Sequence, residues 1–217
     1  MSYIKKVIMG MMLLVLLTSC QKTLQNENEI FQSTFDIIDP LNTTGLTLSS
    51  YNGNNVAGFY NNGEFSVNLS NLAAHDFIKI SFNLYIHDFW DGNSTGNSEV
   101  VTGPDIWRME VDNEQIINTT FSNTVCNEIY CLQQSFPKNY PWQYNPHTGV
   151  ANQNLPGRCA GGGSITSLYR IEKLVKHNGG RVSIRFSDLL KQSNVPDQTC
   201  DESWSLDNLK ISTLRTN

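Results

Sequence analysis

Charge is scarce in this chain, and basic charge scarcest. Of 217 residues, 15 are Lys or Arg and 20 are Asp or Glu, a net charge of −5. A chain of that sign is repelled by polyanions, which excludes nucleic-acid binding. Beyond the first twenty residues no long apolar run occurs, and no segment has the i, i+3, i+4 pattern of a long amphipathic helix. No internal repeat is present. Gly161-Gly-Gly163 lacks the Gly-Lys-Ser/Thr ending of a phosphate loop, and Ser164 after it does not form the Gly-x-Ser-x-Gly elbow of a nucleophile. His75, His87, His147 and His177 have no metal-ligand spacing, and the acids do not follow an EF-hand loop.

The N-terminus carries what the rest lacks. Lys5 and Lys6 precede an apolar run from Val7 to Leu17, long enough for a signal peptide and short of the ~20 residues of a membrane span. It ends in Leu17-Thr18-Ser19-Cys20, which resembles the bacterial lipobox. That resemblance implies removal of residues 1–19 and lipidation (palmitate included) of Cys20. The expected address is the cell envelope, at the outer membrane and facing periplasm or cell exterior. The membrane is then a partner through the anchor alone. Removing residues 1–19 leaves 13 basic against 20 acidic side chains. Residues 20–30, polar throughout except Leu24 and Ile30, read as a flexible tether.

Cys126, Cys131, Cys159 and Cys200 follow. An even number in an exported chain favours disulfides over zinc, since only one pair is closely spaced. Three connectivities are possible; a local Cys126–Cys131 bridge would leave Cys159 to pair with Cys200. Short alternating segments fill the remainder, the clearest from Ile78 to Ile86, with others at 56–60, 65–69, 107–111, 116–121, 167–175, 182–186 and 202–211. The last skips a beat around Asp207, as a bulge does. Gly and Asn turns separate them, the pattern of an all-β sandwich. Residues 122–163, with three cysteines, four prolines and no period, read as a cross-linked insertion.

Several pieces resemble extracellular concanavalin A-like (LamG-like) jelly-roll domains. They are His75 and the Ile78-x-Ile80-x-Phe82-x-Leu84-x-Ile86 strand running into Asp88-Phe-Trp-Asp91-Gly92, Gly103-Pro-Asp105-x-Trp107, Phe121, Phe186-Ser-Asp-Leu-Leu190 and Asp201-Glu-Ser-Trp204-Ser-Leu206-Asp207-Asn208. The resemblance runs from about Phe31 to Ile211 and implies a jelly-roll β-sandwich of two antiparallel sheets over residues 31–215. It implies a fold more than a function, because these domains serve as lectins, adhesion modules and glycosidases. The insertion departs from the pattern, as does Phe89 where a small polar residue is expected.

Asp88, Asp91, Asp105 and Glu202 are hard oxygen donors whose strands place them at one rim, a candidate calcium site to which Asn93 adds a carbonyl. The alternative is that they bond to backbone N–H groups in turns. Trp90 and Trp142, with Tyr140 and Tyr144, fall in loops and are candidate ligand-binding aromatics; Trp107 and Trp204 fall in strands and read as core. Glu110-Val-Asp112-Asn-Glu114 resembles the acidic motif of laminarinase-type glycosidases, in which alternate carboxylates share a strand face. Asp112-Asn113 also reads as a hairpin turn, which would splay them. The expected function is a non-catalytic envelope module that binds carbohydrate or a cell-surface protein. A structural or protein-interaction lipoprotein without a small ligand is the first alternative, and a glycosidase the second.

Overall fold

The computed structural model describes residues 23–96, 102–127, 129–159, 165–191 and 196–217. The signal segment, Cys20, Gly161–Gly163 and Ser164 lie outside the described residues. Alternating segments become strands because one side of each is apolar enough to leave water. The first sheet holds β1 (Leu24–Ser33), β3 (Leu48–Tyr51), β4 (Asn54–Tyr60), β6 (Phe77–Asp88), β9 (Asn152–Pro156), β10 (Ile165–Lys176) and β12 (Glu202–Thr216). Its order is β3-β4-β12-β6-β10-β9, with β1 alongside the second half of β12. The second sheet, β2-β5-β11-β7-β8, adds β2 (Thr43–Thr44), β5 (Glu64–Ser70), β7 (Ile106–Val111), β8 (Glu114–Thr120) and β11 (Arg181–Leu189). All pairings are antiparallel. The chain is an all-β sandwich of two antiparallel sheets. One helical turn, α1 (Gln198–Asp201), is capped by the Asp197 carboxylate and leads into β12.

The core lies between the sheets. Ile78, Ile80, Phe82, Leu84 and Ile86 of β6 are buried, facing Trp107, Met109, Ile184 and Phe186 of the second sheet. Trp204 from β12 is fully buried and donates its indole N–H to Asp188 Oδ1 at 2.7 Å. The expected bulge is present, as the β12–β6 register shifts between Asp207 and Lys210.

Two expectations change. The tether assigned to residues 20–30 is shortened, because Leu24 already pairs with Thr216. The segment is polar because it is a solvated edge strand. Its backbone bonds to β12, and its Glu27 and Glu29 pair with Lys79 and Lys210. The insertion, for its part, does more than decorate the sandwich. It bonds along the edge of β8 (Phe136 N–H to Thr120 O, 3.1 Å; Tyr140 N–H to Asn118 O, 2.7 Å) and then joins β10 through Ala151 and β9. One flank of the sandwich is thereby closed. Disulfides Cys126–Cys131 and Cys159–Cys200 cross-link it.

Gln134 holds this closure. It is fully buried, and its Oε1 accepts from Ser122 N–H (3.2 Å), His147 N–H (3.0 Å) and the Tyr169 hydroxyl (3.2 Å). Its amide nitrogen donates to the carbonyls of Phe136 (3.1 Å) and Thr148 (3.0 Å). Gln134→Leu keeps the volume and strands these partners, each orphan costing ~1–3 kcal/mol. Urea unfolding should show a loss of about 3 kcal/mol or more for Gln134→Leu and ~1 kcal/mol for Tyr169→Phe; equal small losses would mean the network is not what closes the flank.

Candidate functional site

Strand β6 ends on Asp88, whose φ of +66° turns the chain sharply. Phe89 is left 42% exposed, while Trp90 folds inward to 0% exposure. The Trp90 indole donates to Ser203 O at 2.9 Å, and its ring meets Phe121 edge-on. The loop position suggested a binding aromatic; Trp90 is instead core, because its N–H finds a buried acceptor and its ring an apolar wall.

The four acids do gather at this rim. Asp88 and Glu202 are register partners across β6 and β12, and Asp88, Asp105 and Glu202 are all fully buried. Asp88 Oδ1 accepts Arg158 N–H at 3.0 Å. Asp105 Oδ2 accepts Asp91 N–H at 2.5 Å, and its Oδ1 is buried without an N–H or hydroxyl donor. The Glu202 carboxyl lies within hydrogen-bonding reach of Asp105. Two carboxyls bond to one another only through a retained proton. Burial, reinforced by the charge of Asp91, pushes Asp105 well above the usual carboxylate range against the pull of these bonds. Asp91, half-buried, is pushed up to about 6 by burial and by Asp201 nearby.

Calcium takes about six to eight oxygens; among the described residues no group of three or more His, Cys, Asp or Glu side chains is arranged to hold a metal ion. Asn93, an expected contributor, spends its Oδ1 on the Thr120 hydroxyl at 2.5 Å. At this corner Asp88 and Asp105 each accept a backbone N–H.

Trp142 behaves differently. Alone of the four tryptophans it is exposed, at 55%. Its backbone is fixed by Asn93 Nδ2 on its carbonyl (2.7 Å) and by its own N–H to Asn139 O (3.2 Å). Lys138 Nζ sits 3.8 Å from its ring centroid. Tyr140 and Tyr144, both half-buried, flank it in the chain and are anchored by backbone bonds to Asn118 and Gln134. The expected aromatics other than Trp90 therefore share one fixed loop beside the acidic corner.

The glycosidase-like acids do not share a strand face. Asp112 and Asn113 have φ of +50° and +69°, the two left-handed positions of a tight hairpin turn. Glu110 pairs with Arg185 on β11.

What the sequence concealed lies at the opposite end. His75 Nε2 is 2.7 Å from His177 Nδ1, and His177 Nε2 is 3.0 Å from Asp112 Oδ2. The histidines are 102 residues apart, so no local spacing could announce them. His87 was equally silent: it is fully buried between the hydroxyls of Thr166 and Ser205, and burial followed by the Arg158 charge pushes it down to about 3, leaving it neutral.

No protein-family model and no curated protein matches the chain. Among solved structures, dimeric latent PorU from Porphyromonas gingivalis is similar over 70% of this chain and 10% of that chain, at 12% identity and a TM-score of 0.36. A likeness that low carries no argument about fold or function.

A carboxyl raised from 3.8 to about 6 holds its proton more tightly folded than unfolded. Its contribution favours folding at low pH and is lost as pH rises through that interval. Asp91→Asn removes this loss, so its melting temperature minus that of the wild type should grow from pH 4 to pH 7 and then level. A pH-independent difference would show that Asp91 is solvated like an ordinary surface acid.

Proposed function

We propose that the chain is a lipid-anchored module of the bacterial cell envelope, placed at the outer membrane, that binds carbohydrate through the Trp142 loop. The jelly-roll form of the sandwich belongs to the same proposal. The observation that carries it is a single exposed tryptophan on a loop held in place by hydrogen bonds. Leaving an indole exposed forgoes its burial in the core, whereas a fixed aromatic face stacks on the apolar face of a sugar at little entropic cost. Lys138, Tyr140 and Tyr144 add polar and aromatic edges to that face. The role involves no catalytic step.

A protein-interaction role is the second reading. It is favoured by Ile37, Ile38 and Leu41, exposed at 79%, 52% and 90% on a loop braced by Asp39.

On a glycan array the purified chain should bind a defined subset of sugars, and Trp142→Ala should weaken that binding at least tenfold, the equivalent of ~1.4 kcal/mol. A blank array with retained capture of an envelope protein, lost on Leu41→Ser, would replace the first reading with the second. The anchor is tested separately. Cys20→Ala should move the protein from the membrane to the soluble fraction, and unchanged membrane association would refute lipidation there.

A further inference from the structure

A groove of about 590 Å³ lies at the end of the second sheet, away from the acidic corner. Asn68, Ser70, Asn71, Asp112, Arg181 and Ser183 line it. Four of these are paired across β5 and β11, Ser70 with Arg181 and Asn68 with Ser183. They alternate with the buried Leu69 and Val182, so all four point outward from the core. The Ser183 hydroxyl donates to Asn68 Oδ1 at 2.8 Å, which orients that amide.

Beside the groove, His75 Nδ1 lies 2.7 Å from Ala73 O, His75 Nε2 lies 2.7 Å from His177 Nδ1, and His177 Nε2 lies 3.0 Å from Asp112 Oδ2. Asp112 Oδ1 is also occupied, by Ser183 N–H at 2.8 Å. Among the described residues Arg181 has no carboxylate partner. Arg181 thus stands beside the neutral amides and hydroxyls of Asn68, Ser70, Asn71 and Ser183, while both oxygens of Asp112 already have partners in His177 and Ser183.

We propose that this groove is a second ligand site, selective for an acidic sugar of the uronate type. Arg181 takes the carboxylate, and Asn68, Ser70 and Asn71 take ring hydroxyls. A phosphate dianion would call for more than one cation, whereas a sugar monoacid matches one cation surrounded by neutral hydrogen-bonding groups. The proposal extends the carbohydrate-binding reading to another surface and stands on different residues.

The test is titration of the full chain with digalacturonate, followed by NMR at the Asn68, Ser70, Arg181 and Ser183 amides. Cellobiose serves as the neutral control and a glutamate tetrapeptide as the non-sugar acid. Digalacturonate should shift those amides and bind at least tenfold more tightly than either control. Arg181→Gln should weaken it at least tenfold, and Trp142→Ala should leave it unchanged. Loss in Trp142→Ala alone would place the acid at the other loop and overturn the groove. Equal binding of the peptide would overturn the sugar assignment. Absence of any shift would overturn the site while leaving neutral-glycan binding at Trp142 standing.

Discussion

Strand β6 is bonded along both edges, to β12 and to β10, and its Ile78–Ile86 face is wholly buried. Both demands fix its register, since a slip of one residue would carry five apolar side chains out of the core. Because β6 is fixed, the residues that follow it are fixed as well. Asp88 must turn at the rim, Trp90 is delivered into the core, and Glu202 arrives opposite Asp88 at the start of β12. The acidic corner is a consequence of how the central strand ends.

This explains why buried carboxyls are tolerated there. Each sits where a strand stops and backbone N–H groups lose their ladder partners, so carboxylate oxygens satisfy donors that would otherwise be stranded. Asp105 does so for Asp91, and Asp88 does so for Arg158. At the same rim Asp188 receives the N–H groups of Asn62 and Gly63 together with the Trp204 indole. The cost is a raised proton affinity at Asp105 and Asp91. The arrangement serves stability, and beside it the insertion, by closing the sandwich flank, holds the exposed Trp142 loop in place. Candidate ligand surfaces thus occupy the two ends, separated by strands such as the six-residue β7, ~20 Å at ~3.3 Å per residue.

Most strands could be read from the sequence because burial on one face leaves a period of two. Edge strands β1 and β9 could not. With most side chains in solvent they keep a polar composition, and only backbone pairing marks them. The gathering of Asp88, Asp91, Asp105 and Glu202 was legible from strand order, but the raised proton affinity of Asp105 and Asp91 was not, since it depends on burial. Trp90 and Trp142 look alike in sequence, both in polar loops. The positive φ at Asp88 and the acceptor at Ser203 separate them. Gln134 and the His75–His177 contact rest on approaches between distant segments that no local pattern encodes.

The central functional claim concerns the one exposed indole, and tryptophan fluorescence isolates it because Trp90, Trp107 and Trp204 are fully buried. Acrylamide quenching should therefore report Trp142, and a sugar that the chain binds should reduce the quenching slope by half or more. A slope unchanged at saturating sugar would show that the ligand does not cover Trp142 and would contradict its assignment as the binding face.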